Sequence, residues 1–424
     1  MSVQTTTKSR MAGAREVIAR CEALAKFSED TNSLRRTFLS PPMHNCHAAV
    51  YSWLKSAGVS VRIDAAGNLR GFYPGADPKS PRMLIGSHLD TVPNAGKYDG
   101  MLGVVLAIAL LEELDGTRLP FGIEVVGFSE EEGVRFGVPF IGSRALVGRI
   151  DPDLLQRRDY NGISVREAIQ QFGLDDKQLG AATLDGNVLG YLEFHIEQGP
   201  VLEKLERQLG IVEALVGQTR LAVQFFGKTN HAGTTPMEAR HDALAGAAEW
   251  MVAIESRAKQ IPGLVATVGF IEAKPGATNV IPGEVRLSLD VRHRSDEVRM
   301  SAVRELTELA EGIAKKRGLL AQWNALLEQA SVLLDEFLAD QIESAIRLAG
   351  CEPHRMTSGA GHDAMILAEQ VPSAMVFLRS PGGISHDPAE TVLLEDVEKA
   401  IDCGVHLLSR LAASQEFLGR KSRA

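Results

Sequence analysis

The chain has 424 residues, 45% hydrophobic and 23% charged, with a formal net charge of −9. That length exceeds one small core and fits roughly two domains of ordinary globular composition. The acidic balance argues against a nucleic-acid partner, which favours a basic face, and the longest clean apolar run, Met101 to Leu111, is too short to cross a bilayer.

The N-terminal stretch MSVQTTTKSRMAGAREV has no hydrophobic signal region, so export is not expected. Both ends, including the basic GRKSRA, read as solvated. Glu16 to Lys26 and His47 to Ala57 read as amphipathic helices, and VSVRIDAAGNLRGFYPG as an edge hairpin turning at Ala65-Ala66-Gly67-Asn68. RMLIGS is a short buried strand, Leu102 to Leu114 a helix apolar on most sides, and GIEVVGFS and GYLEFHI are further strands. Strands alternating with helices predict an α/β fold, a largely parallel sheet flanked by helices.

From about Ala214 the pattern changes. QTRLAVQFFG is a strand, TPMEARHDALAGAAEWMVAIESRA a long helix, LVATVGFIEA and GEVRLSLDVRH strands, and DEVRMSAVRELTELAEGIAKKRG a second helix. This α+β, ferredoxin-like unit over 214–332 is read as inserted between two parts of the outer domain, 1–213 and 333–424. After it come the helix LDEFLADQIESAIRLAG, the strand SAMVFLR and a last helix from Leu394 to Ala412.

The chemistry collects at predicted strand ends. His88 and Asp90 stand two apart, so their side chains point to one side, and a carboxylate there can hold the far N–H of an imidazole that ligates a metal. Asp99 follows in the same loop. Glu130-Glu131-Glu132, His195-Ile196-Glu197-Gln198 and Gly382-Gly-Ile-Ser-His386 close other strands or loops. Ligand crevices in open α/β sheets lie beyond the carboxyl ends of the strands, so these clusters converge on one site. Any one of them alone reads more readily as a surface or hydrogen-bonded histidine or a solvated acidic turn than as a ligand; together they favour a metal site. Nitrogen and oxygen donors suit Zn²⁺ or Mn²⁺. Cys21, Cys46, Cys351 and Cys403 lie far apart with no C-x-x-C pair; they form neither a disulfide framework nor a thiolate site, and a reducing cytoplasm suits them.

The blocks GSHLDTVPNAGKYDG, FSEEEGVRFGVPFIGSRAL, HIEQGPVLE, KTNHAGTTPMEARHDAL, TNVIPG, DVRH, SGAGHDAMILA and GGISHDPAE resemble, in order and over nearly the whole chain, the dinuclear-metal amidohydrolases related to aminoacylase-type peptidases. The resemblance implies two divalent ions per subunit, Zn²⁺ or Mn²⁺, with His88 and His195 on one, Glu132 and His386 on the other, and Asp99 bridging both. It makes Glu131 the general base, Asp90 the residue that orients His88, and His231 an oxyanion donor that serves the partner subunit's site in a homodimer built through the insert, a lid and dimerisation domain. Gln198, Asn279 and Arg292 would bind substrate, with Arg292 gripping a carboxylate as lysine could not; without the resemblance, Arg292 reads equally as a strand-end arginine in a surface ion pair. Gly359 to Gly361 would line the substrate, with His362-Asp363 behind them. His241-Asp242 reads as structural.

Relatives that cleave peptides carry a carboxylate at the position of His195, whereas the ureido-cleaving branch carries histidine. The resemblance therefore implies a small anionic ureido substrate. RRTFLSPPM and AGKYDGMLGV are closer to the allantoate members than to the carbamoyl-amino-acid members, a β-ureidopropionase being a further alternative and a peptidase or acylase standing behind these. A binding protein on the same fold would have lost the base or a ligand, and none is missing at the matched positions.

Overall fold

The short apolar runs become strands because each is rich in β-branched or aromatic residues and closed by a turn-forming cluster. In the computed structural model, which describes residues 7–420, Gly122–Phe128, Arg82–His88, Val188–Ile196 and Ser373–Leu378 lie side by side in that order and run parallel. Leu69–Tyr73 and then Ser60–Ile63 extend one side antiparallel, and Leu209–Leu215 the other. Nearly every residue of the four central strands is buried, as helices on both faces of a parallel sheet require.

The helix Met101–Glu113 is buried at every position from Met101 to Leu111, which explains an apolar surface all round. It packs on Arg82–His88 and Val188–Ile196 and is covered by the helices Thr7–Leu24 and Leu394–Ala413. The stretch expected to be a solvated N-terminus is thus helical from Thr7, and buried Arg10 pairs there with Glu113 and Asp402. Residues 1–6 lie outside the described ones, as do 421–424 of GRKSRA. Within that basic end Arg420 is not simply solvated: it pairs with Asp335 at 2.8 Å and lies over the Phe337 ring.

The described chain forms two compact units. One runs to Glu213 and resumes at Leu334–Met356 and from His362; the other is Ala214–Leu333 with Thr357–Gly361. In the second, Ile271–Lys274, Glu284–His293, Gly217–Phe226 and Leu320–Gln329 form an antiparallel sheet in that order, with Val265–Thr267 also on Glu284–His293. Val285, Leu287, Leu289 and Val291 alternate inward and join Phe225, Trp250 and Leu306 in its core.

Three details differ from expectation. LVATVGFIEA is two short strands, not one. The helix expected from Thr235 starts at Ala243, where Asp242 caps it by accepting from the N–H groups of Leu244 and Ala245. Leu320–Gln329 was not foreseen: as an edge strand it is exposed along most of its length, so it shows little of the alternation that burial imposes.

Candidate metal centre and active site

Each chemical cluster sits where one of the four parallel strands ends. His88 closes Arg82–His88, His195 lies in the last turn of residues of Val188–Ile196, Glu130–Glu132 follow Gly122–Phe128, and His386 lies in the loop after Ser373–Leu378. The loop between His88 and the helix Met101–Glu113 folds back so tightly that a Cβ on Gly100, whose φ is +69°, would meet the His88 ring at 2.4 Å. That return delivers Asp99 to the two histidines.

Their tautomers follow from the main chain. His88 Nδ1 lies 3.0 Å from the carbonyl oxygen of Asp90, and His195 Nδ1 lies 2.9 Å from that of Ile196. A carbonyl only accepts, so each Nδ1 carries a proton and each neutral ring presents a lone pair at Nε2. Those two Nε2 atoms are 3.5 Å apart, and each is close to Asp99 Oδ1, at 3.3 Å for His88 and 3.2 Å for His195. Three acceptors aimed at one point suit a cation between them. Tetrahedral ligands at zinc-to-nitrogen distances stand about 3.3 Å from one another, which these atoms match. The other oxygen, Asp99 Oδ2, lies 3.4 Å from His386 Nε2, which is 3.6 Å from Glu132 Oε1. Asp99 thus offers one oxygen to each of two ligand groups, and the residues present fit divalent metal ions. The four cysteines are buried and unpaired and take no part.

Burial disfavours a charged His88, but Asp90 and Asp99 outweigh it and raise its pKa well above the ordinary histidine value. His195 is raised in the same way, burial being overcome by Asp99. Burial also opposes ionisation of Asp99, yet hydrogen bonds with His195, His386 and His88 hold its carboxyl well below the usual range. His386 is pushed up to about 9, first by its hydrogen bond with Asp99.

Glu131 is buried, and burial together with the charge of Glu132 raises its carboxyl well above the ordinary value. Burial and Asp99 push Glu132 up to about 7. Asp90 does more than face His88. Its carboxylate is 3.5 Å from His88 Nδ1, farther than its own main-chain oxygen, and accepts the N–H groups of Glu131 at 2.9 Å and Glu132 at 3.1 Å.

Gln198 is also held at the centre: its Nε2 donates to Asp99 Oδ2 at 2.7 Å, while its buried Oε1 has no partner among the described residues. Both Gln198 and His386 have positive φ, 59° and 57°, a conformation that costs a non-glycine residue on the order of 1–3 kcal/mol and clusters at functional sites. His362 packs edge-on against His195, ring centroids 4.5 Å apart, and burial beside His195 keeps its imidazole neutral by lowering its pKa. Asp363 accepts from Ser143 at 2.5 Å. Sequence reasoning missed Ser385, which donates to Asp99 Oδ2 at 2.9 Å, and Glu390, which accepts the N–H groups of Tyr98 and Asp99. Both lie in the block GGISHDPAE, so the signal was present but carried no assigned role.

The second unit brings His231 and Asn279 together. His231 pairs with Val280 across a two-stranded ladder, and the Asn279 carbonyl accepts from the N–H of Ala232. His231 is exposed, and its Nδ1 accepts from the N–H groups of Gly233 and Thr234 at 3.1 and 3.2 Å. The proton therefore sits on Nε2, an outward hydrogen-bond donor. Arg292 is engaged by Asp290, Nε and Nη2 reaching its two oxygens at 2.8 and 3.2 Å, and by the carbonyl of Gly359 on Nη1 at 2.8 Å. It lines a cavity of about 610 Å³ with Arg220, Val265, Phe270 and Leu326. Gly361 is half-buried in the same unit, next in the chain to His362.

Comparison with known proteins identifies the family. Residues 84–410 match Peptidase family M20/M25/M40. The chain is similar to allantoate deiminase of Arabidopsis thaliana, 39% identical over 419 residues that span 91% of this chain and 80% of the relative. It is also similar to N-carbamoyl-L-amino acid amidohydrolase of Geobacillus stearothermophilus, 40% identical over 369 residues, 86% of this chain and 90% of the relative. Among solved structures, an amidase of the hydantoinase/carbamoylase family from Burkholderia multivorans superposes with a TM-score of 0.89 at 29% identity, covering 95% of this chain and 98% of that one. By the extent of these matches, the chain belongs to peptidase family M20/M25/M40.

Proposed function

We propose that the protein is a metal-dependent amidohydrolase that removes the ureido group of a small carboxylate substrate, allantoate first and N-carbamoyl-L-amino acids second. The observation that carries this reading is the convergence of His88, His195, His386 and Glu132 on the two oxygens of Asp99. Relatives named for both substrates support the choice. Zn²⁺ and Mn²⁺ both suit the donors, with one ion in each ligand group.

A bound divalent ion supplies polarisation of the ureido carbonyl and a water acidic enough to lose its proton near neutral pH. Glu131, in its carboxylate form, would take the proton from the attacking water and deliver it to the leaving nitrogen. The bond from the ureido carbon to the nitrogen on the carboxylate-bearing carbon breaks, and the released carbamic acid falls to ammonia and CO₂. Gln198 Oε1 accepts a ureido N–H, and Arg292 receives the substrate carboxylate. His231 Nε2–H donates to the developing oxyanion of the partner subunit's site, in a homodimer built through the second unit. Asn279, Gly361 and His362 complete the substrate surroundings. No helix among the described residues is long and apolar enough to cross a membrane, and the reading places the enzyme in the cytoplasm.

The test is steady-state ammonia release from allantoate, several N-carbamoyl-L-amino acids, their amide-capped analogues and a dipeptide. Allantoate should react fastest and each capped analogue much more slowly than its free acid. A dipeptide hydrolysed faster than every ureido compound would overturn the reading.

A further inference from the structure

The loop that carries His386 also reaches the loop that carries Asp99, through one buried carboxylate. Glu390 is 3% exposed, and its Oε1 accepts the N–H of Tyr98 at 2.8 Å and that of Asp99 at 3.0 Å. Its Oε2 is 3.3 Å from Ser385 Oγ, but that hydroxyl is closer to Asp99 Oδ2, at 2.9 Å, and has one proton to give. Glu390 therefore holds the main chain of Asp99 while Ser385 and Gln198 hold its outer oxygen.

The fit is close on both sides. A Cβ on Gly96 would lie 2.3 Å from Glu390 Oε1, so the loop closes on this carboxylate only because residue 96 has no side chain. Within its own turn Glu390 is fixed by donating its N–H to the Asp387 carbonyl at 2.9 Å, while the Ala389 N–H bonds the Asp387 carboxylate at 2.8 Å. That turn begins at Asp387, the residue after His386. One rigid link thus joins two residues whose ligand atoms, Asp99 Oδ2 and His386 Nε2, stand 3.4 Å apart. Asp99 must aim its two oxygens at two different groups, so a small rotation of its main chain loses one of them.

We propose that Glu390 is a positioning residue that sets Asp99 between the two ligand groups, acting through the reach of its oxygen rather than through its charge. This rests on the metal-dependent reading above. Glutamine at 390 keeps an acceptor at the same reach, whereas aspartate keeps the charge but falls one methylene short.

The experiment measures Mn²⁺ uptake by chelator-stripped protein against a competing chelator, with the electron paramagnetic resonance spectrum of bound Mn²⁺ and thermal unfolding of the metal-free forms alongside. Glu390→Gln should bind Mn²⁺ as the wild type does. Glu390→Asp should bind at least one ion roughly 10–100-fold more weakly, the usual effect of losing a group that orients a ligand, and its spectrum should lose the coupling between neighbouring ions. Should Glu390→Asp not fold, Gly96→Ala displaces the Glu390 carboxylate from the other side and should give the same loss. Wild-type affinity in Glu390→Asp, or equal weakening in Glu390→Gln, overturns the proposal while leaving the metal-dependent reading in place. A wild type that takes up no Mn²⁺ overturns both.

Discussion

The carboxylate of Asp90 accepts the N–H of Glu131 at 2.9 Å and, through its other oxygen, that of Glu132 at 3.1 Å, so one side chain sets the register of two neighbouring carboxylates to which the proposed mechanism gives different tasks. Glu132 Oε1 reaches toward His386 Nε2, at 3.6 Å, whereas the proposed mechanism gives Glu131 the proton, although its carboxylate also lies near His88 and Glu132. The two isosteric variants should therefore separate. Glu131→Gln should keep wild-type metal content and lose roughly 10²–10⁴-fold in kcat, because an amide cannot take the proton. Glu132→Gln should instead weaken metal binding, by at least the roughly 10–100-fold that losing an orienting partner alone costs. Metal analysis beside steady-state kinetics checks both; equal metal loss with comparable turnover in the two variants would show the roles to be wrongly divided.

Much of this centre was legible in the sequence because strand ends are local features. A short apolar run followed by His-Leu-Asp or Ser-Glu-Glu-Glu places the chemistry at a carboxyl end without knowledge of the fold. What was not legible depends on contacts between distant segments. Glu390 lies nearly three hundred positions from the Tyr98 and Asp99 N–H groups it holds, and no local pattern encodes that pairing. The tautomers of His88 and His195 follow from main-chain carbonyls, which every residue carries. Asp90 lies beside His88, but its carboxylate accepts the Glu131 and Glu132 N–H groups, a partner choice that only the packed loop reveals.

Metal uptake should compete with protons. His386 is pushed up to about 9, chiefly by its hydrogen bond with Asp99, and Glu132 up to about 7 by burial and Asp99. A cation must displace the proton from each ligand it binds. Below about pH 9, where His386 holds its proton, affinity should fall by up to roughly tenfold per pH unit, and more steeply below about pH 7, where Glu132 also holds a proton. The sign reverses for the metal-free fold: the protonated His386–Asp99 pair stabilises it at low pH, and that contribution is lost as pH rises through about 9. Competition titrations at several pH values, with proton release measured in weak buffer, test this. An affinity independent of pH between about 6 and 8 would contradict it.

His231 gives the proposed dimer a sharp test. Its Nδ1 is occupied by the Gly233 and Thr234 N–H groups, which leaves Nε2–H as the outward donor. If that donor serves the partner's site, Glu131→Gln and His231→Ala chains, each nearly inactive alone, should form heterodimers with one complete site. Mixing them under conditions that exchange subunits should restore up to about a quarter of wild-type activity, since random pairing makes half the dimers mixed and each has one of two sites intact. Mass spectrometry of the mixture establishes the exchange. Absence of recovery from mixed dimers would place His231 in its own chain's site or outside catalysis.

Arg292 carries the last prediction, because its surroundings limit what it can still bind. A guanidinium has five N–H donors. Asp290 takes one on Nε and one on Nη2, and the Gly359 carbonyl takes one on Nη1, which leaves one donor on each terminal nitrogen. Asp290 also accepts from Arg220 at 2.8 Å, so its charge is shared and does not cancel that of Arg292 alone. The arginine reads both as a partner in an ion pair and as a fork with two prongs free, and substitution by lysine separates these roles. Arg292→Lys keeps the charge, but an ammonium drawn to Asp290 and Gly359 has no planar pair of donors left for a substrate. The loss should be on the order of 1–3 kcal/mol in kcat/KM for a free carboxylate substrate, and none for its amide-capped analogue, so the preference for the free acid should collapse. Steady-state rates with allantoate and an N-carbamoyl-L-amino acid, each with its capped form, measure that preference. If Arg292→Lys retains it in full, the substrate carboxylate is bound elsewhere and Arg292 serves only its ion pair with Asp290.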